Sequence, residues 1–126
     1  MSEGITLDAG ALMALDRNDR RVVAMIAGVA QHNWRITVPA TAFAQALRHP
    51  ARQARLRRLI NDAATDFVPL DESDAVAVGV LLANTRTEDI ADAHVVICAE
   101  RAQQSVLTRD PDDLRRLAPE LELVIV

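Results

Sequence analysis

The stretch "TEDIADAHVVICAERAQQSVLTRDPDDLRRLA", residues 87–118, decides the fold. Its first part, residues 87–100, has the composition of a helix that is apolar nearly all round, and such a helix belongs inside a protein. "SVLT" (105–108) then reads as a short strand. "DPDDLRRLA" reads as a helix with Asp110 as N-cap and Pro111 at its first position, where a missing N–H does no harm. Helix, strand and helix follow each other with almost no linker, which is the rhythm of an α/β chain. One feature resists that simple picture. Asp92 stands in the first turn of the interior helix, with Asp89 one turn earlier.

The same rhythm extends outward in both directions. "ITL" (5–7) is a short strand that leads to Asp8, "AGALMAL" begins a helix, and "NDRRVVAMIAGVAQHN" supplies another with Asn18 as its expected N-cap. "RITV" (35–38) is a second strand, and Pro39 suits the first turn of "PATAFAQALR". Pro50 is expected to end that helix, and "ARQARLRRLINDAA" to form the next. "DFVPL" (66–70) reads as a third strand, and Asp71 or Ser73 caps "ESDAVAVGVLLANT". Asp89 caps the interior helix, and "LELVIV" closes the chain as a last strand. Strands alternating with helices predict an α/β fold whose parallel sheet is covered on both faces.

Composition narrows the function classes. With 126 residues the chain reads as one domain, 1–126, with room for an ordinary core. Half the residues are hydrophobic and a quarter charged, which excludes a disordered chain. The formal net charge of −4 provides no global field for nucleic acid, so any such contact must be local. All 14 basic residues are arginines, which excludes lysine-dependent chemistry, including a P-loop. The single cysteine, Cys98, falls in the apolar helix and reads as a small core residue of a reducing compartment. With no secretory leader in "MSEGITLDAG" and no apolar run of membrane-spanning length, the expectation is a soluble, cytoplasmic protein.

In open α/β sheets the functional crevice lies beyond the carboxyl ends of the strands. Asp8 follows the first strand directly, Asp110 follows "SVLT", and Asp92 sits at the start of the helix that feeds that same strand. Three carboxylates from distant parts of the chain therefore converge on one edge of the sheet. Left alone they repel, and a hard divalent cation, Mg²⁺ or Mn²⁺, resolves the conflict. Simpler readings exist for each residue. Capping alone accounts for Asp110 and Asp89, and Asp113 fits the first turn of its helix. Asp92 is the hardest to dismiss, because an acid in an apolar helix is seldom neutral packing. The histidines, His32, His49 and His94, lack zinc-binding spacing, and His94 lies about 200° around the helix from Asp92, which favours a packed or partly exposed histidine over a ligand. Ser73 and Ser105 have no nucleophile elbow around them. In "LRHPARQARLRRL", Arg48, Arg52 and Arg55 fall near one helical stripe, read either as a solvated face or as a track for a phosphate backbone.

Taken together, "ITLDAGALMALDR", "VPATAFAQALR", "TEDIADAHVVICA" and "VLTRDPDDLRRLA" resemble, in order and spacing, the PIN-domain family, most closely the VapC-type toxins of type II toxin–antitoxin pairs. The resemblance covers essentially the whole chain. It implies a three-layer α/β/α sandwich around a parallel sheet, a Mg²⁺- or Mn²⁺-dependent endoribonuclease, a homodimer, and a small antitoxin as partner. On this resemblance the family's acids fall on Asp8, Asp92 and Asp110, as catalytic residues and metal ligands, with Asp113 and Asp89 as further metal-binding candidates. Arg48, Arg52 and Arg55 are the candidates for RNA. Two departures stand out. The family's glutamate in the helix after "VPA" is Gln45 here, and its Ser/Thr pair after the first aspartate is Ala9–Gly10. An amide brings no negative charge to a cation. The alternative is therefore a catalytically weak or inactive PIN-fold protein that acts by binding a partner.

Overall fold

A computed structural model describes residues 3–126. Five strands, β1 (Gly4–Leu7), β2 (Arg35–Pro39), β3 (Thr65–Val68), β4 (Ser105–Thr108) and β5 (Leu123–Ile125), form one sheet in the order β3-β2-β1-β4-β5. Every pairing is parallel. Seven α-helices accompany them: α1 (Ala9–Asp16), α2 (Arg20–Gln31), α3 (Ala40–Ala46), α4 (Ala54–Asn61), α5 (Glu72–Thr85), α6 (Ile90–Ala102) and α7 (Pro111–Leu117). This is the three-layer α/β/α sandwich of PIN-like type expected from the sequence.

The order of the strands follows from their composition. β1 and β4 are buried along their whole length, so they lie inside the sheet with both faces covered. The edge strands β3 and β5 retain exposed residues. Helix α6 packs against β1, β2 and β4 and is backed by α3, α5 and α7, which explains why it is apolar all round. Helix α1 lies against β1 and β4, with α2, α3 and α4 beside it. Leu7, Leu12, Ile36, Leu107 and Leu114 are fully buried between these layers. Gly4 is required at the mouth of β1, because a Cβ there would collide with the Arg35 carbonyl and the Gln104 side chain. No helix among the described residues is long and apolar enough to cross a membrane.

Several local expectations are corrected. Asn18 does not cap α2. It takes a left-handed conformation (φ 61°), and Asp19 caps instead, accepting from the N–H groups of Arg21 and Val22. Pro39 ends β2 and precedes α3 rather than opening the helix. α3 stops at Ala46, well before Pro50, and a 3₁₀ turn at Pro50–Arg52 separates it from α4. Buried Gln53 explains that break: its Oε1 accepts from the N–H groups of Arg48 and His49, and its Nε2 donates to the Ala46 carbonyl, tying the chain into a loop. Arg48, Arg52 and Arg55 consequently do not share a helical stripe. They lie in a loop, a 3₁₀ turn and α4, all exposed.

Candidate active site

The chain leaves β1 toward β2 and β3 on one side and returns to β4 and β5 on the other. The topological switch therefore falls between β1 and β4, where crossover connections part and leave a crevice beyond the carboxyl ends. Asp8 and Asp110 stand on its two sides, just after β1 and β4.

Asp8 caps α1, accepting from the Ala11 N–H at 2.8 Å, and is buried. Burial pushes its carboxyl up, hydrogen bonds from Thr108 and Ala11 pull it back, and the Asp110 charge adds to the rise; the net effect is upward. Thr108 is fully buried and joins the two sides, since its hydroxyl serves Asp8 and accepts from the Asp110 N–H at 3.0 Å. Asp110 occupies the N-cap position of α7, yet its side chain makes no capping hydrogen bond. Capping alone therefore does not account for it. Asp89, in contrast, is a working cap of α6 and accepts from the Asp92 N–H at 2.8 Å.

Asp92 is where these acids meet electrostatically. Its half-buried carboxyl is pushed up to about 7, first by burial and then by the charges of Asp89, Asp8, Asp113 and Asp110. Asp92, Asp89 and Asp113 line a cleft of about 360 Å³ together with Arg86, Arg116, Thr87, Glu88 and Leu117; Asp8 and Asp110 do not line it. The acids act on one another through their charges without closing to the spacing of ligands around an ion. Among the described residues, the set whose ligand atoms all lie within 4.8 Å is Asp74, His94 and Cys98. An all-carboxylate donor set with uncompensated charge fits a hard divalent ion such as Mg²⁺ or Mn²⁺. Gln45 is exposed on α3, which packs between α1 and α6. At Gly10, a Cβ would stand 3.5 Å from Asp8 Oδ1, an ordinary van der Waals contact.

Asp74, His94 and Thr108 escaped the sequence reading as interacting groups. His94 is fully buried; its Nε2 donates to Asp74 Oδ2 at 2.9 Å, and its Nδ1 hydrogen-bonds the Thr41 hydroxyl at 2.8 Å. Arg101 closes the group with an ion pair to the other Asp74 oxygen. Burial works against ionisation of Asp74, but Arg101 and His94 together outweigh it and hold the carboxyl below its ordinary value. Burial and the Asp74 charge push the Cys98 thiol up to about 12. It thus stays protonated beside polar atoms already engaged with one another, and the cluster reads as a strut between α5, α6 and α3 rather than as an ion site. The available signal for Asp74 was the one that exposed Asp92, an acid among apolar helix residues.

No family model and no curated protein matches this chain. Solved structures do. A chain in the crystal structure of VapBC2 from Rickettsia felis, bound to a DNA fragment from its promoter, is similar with a TM-score of 0.67 at 12% identity, covering 98% of both chains. A chain of FitAB bound to the IR36 DNA fragment gives 0.65 at 16%, covering 96% of this chain and 94% of that one. A chain of FitAcB from Neisseria gonorrhoeae gives 0.60 at 17%, covering 94% and 95%. At these identities the likeness is one of fold, and it extends over nearly the full length of each chain.

Proposed function

We propose that this chain is the toxin of a toxin–antitoxin pair, a cytoplasmic, metal-dependent endoribonuclease that hydrolyses RNA phosphodiester bonds. The observation that carries the reading is the set of uncompensated carboxylates at the switch point, with Asp92 raised to about 7 by burial and by its acidic neighbours. The full-length likeness of fold to chains of VapBC2, FitAB and FitAcB supports the pairing with an antitoxin.

Asp8, Asp92 and Asp110 would hold Mg²⁺ or Mn²⁺, with Asp113 and Asp89 at the margin of the site. When bound, such an ion polarises a phosphoryl oxygen and lowers the pKa of an attacking water. The protein's own contribution is placement. Thr108 fixes Asp8 relative to the Asp110 backbone, and the first turn of α6 carries Asp92. Asp110 or Asp92 would take the proton of the attacking water. Arg48, Arg52 and Arg55 meet RNA phosphates from three separate segments rather than from one stripe, and two copies of the chain form the working unit.

A second reading keeps the fold and drops the chemistry. Gln45, in place of the family's glutamate, favours a protein that binds its partner and cuts weakly or not at all. One experiment separates the two: labelled single-stranded RNA incubated with the purified chain in Mg²⁺, Mn²⁺ or chelator. Cleavage with either ion and none with chelator is expected. Equal RNA stability in all three conditions would leave the binding module.

A further inference from the structure

The cleft beside Asp92 contains two cations that the acids do not use. Arg86 and Arg116 line it together with Asp89, Asp92 and Asp113. Four arginines pair with acids: Arg35 with Asp66, Arg101 with Asp74, Arg109 with Asp19 and Arg115 with Asp112. Among the described residues neither Arg86 nor Arg116 has an ion-pair partner, although carboxylates share their cleft. Both are exposed.

Their mounting is firm. Arg86 occupies the left-handed C-cap of α5 (φ 57°, ψ 44°), a conformation that glycine adopts with least strain. The turn is held by the Thr87 N–H donating to the Leu82 carbonyl at 3.1 Å and by a 2.9 Å hydroxyl–hydroxyl bond between Thr85 and Thr87. Arg116 is in the last turn of α7, three residues beyond Asp113 and so on the same helical face.

A polyanion cannot approach a group of carboxylates without local positive charge. A divalent ion held by the acids would offset the phosphate being cut, and the phosphates on either side of it would face Glu88, Asp89 and Asp113. A guanidinium fork binds a phosphate through two parallel hydrogen bonds, which fixes orientation as well as charge. We infer that Arg86 and Arg116 are positioning residues that grip the phosphates flanking the scissile one, so that single-stranded RNA crosses the cleft between α5 and α7. This rests on the nuclease reading and adds the path of the strand.

The test is binding of a fluorescently labelled single-stranded RNA in Ca²⁺, titrated by anisotropy over a range of salt. Arg86→Gly removes the side chain while relieving the backbone, and Arg116→Ala removes the other fork. Each is expected to weaken binding by about fivefold to tenfold and to lower the salt slope by about one, in proportion to lost phosphate contacts. Arg116→Lys should restore the slope but only part of the affinity. Mn²⁺ affinity by calorimetry should stay the same or tighten, which a merely structural role would not predict. Affinity and slope unchanged, with the wild type binding RNA, would overturn the strand path and leave the nuclease reading intact. Loss of binding to an Asp/Glu-rich peptide with RNA binding unchanged would also overturn it and assign the arginines to a protein partner. A wild type that neither binds nor cuts RNA removes both readings.

Discussion

Helix α6 presents two aspartate environments on different sides of one rod. Toward the sheet's carboxyl edge stands Asp92, surrounded by acids and raised to about 7. Around the helix, His94 meets Asp74, which is more deeply buried yet held below its ordinary value by Arg101 and His94. Burial penalises both carboxylates, so burial does not distinguish them. Partners do. A buried acid with a cation and a hydrogen-bonded imidazole is part of the scaffold. A half-buried acid among other acids carries free energy that a proton or an added cation recovers.

The contrast is sharpest in substitutions that remove charge at nearly constant shape. Asp92→Asn is expected to lower metal-dependent RNA cleavage at least a hundredfold while leaving the metal-free protein as stable or a few degrees more so, since it relieves repulsion. A clear loss of metal-free stability in thermal melts would place Asp92 with the scaffold. Asp74→Asn should do the reverse. It leaves buried His94 facing an amide and half-exposed Arg101 without its partner, with a loss of roughly 2 kcal/mol, the scale for losing hydrogen bonds to a charged group. Denaturant unfolding measures it, and an unchanged midpoint would mean that Asp74 is dispensable.

Acidity separates the two sites as well. Asp92 in the folded protein holds its proton to about pH 7, against an ordinary 3.8. Between those values the folded state binds more protons than the unfolded one, so metal-free stability falls as pH rises from about 4 to about 7. Asp74, lowered in the fold, acts oppositely: its contribution is present above its ordinary value and is lost as pH falls through the folded one. Comparing melts of the wild type and Asp92→Asn in chelator across this range isolates the first effect. The slope between pH 4 and 7 should flatten in the variant. The smallest expected effect is at Gln45. Gln45→Glu should tighten Mn²⁺ binding severalfold, with a slight loss of metal-free stability from added like charge. Unchanged Mn²⁺ affinity by titration calorimetry would show that this exposed position does not serve the acids.

Much of this was legible in the chain. The five strands and seven helices follow hydrophobic runs broken by proline and capping residues, and Asp71 and Asp89 cap the helices assigned to them. The errors lie where a side chain bonds to backbone a few residues away. Gln53 breaks a helix that local propensity would continue, and Asp19 displaces Asn18 as a cap. Asp74 and Thr108 were invisible as interacting groups because their partners stand 27 and 100 residues away, as Arg101 and Asp8.

The sequence by itself determined the α/β alternation, the parallel sheet, and the acids at strand ends, because these depend on periodicity and on what a residue's immediate neighbours allow. Only the tertiary structure decided which acids keep a partner. It paired Asp74 with Arg101 and His94, left Asp110 without a capping bond, and set Arg86 and Arg116 unpaired beside Asp92. Ionisation depends on every charge within several ångströms, and the order of residues along a chain does not fix those distances until the layers have packed.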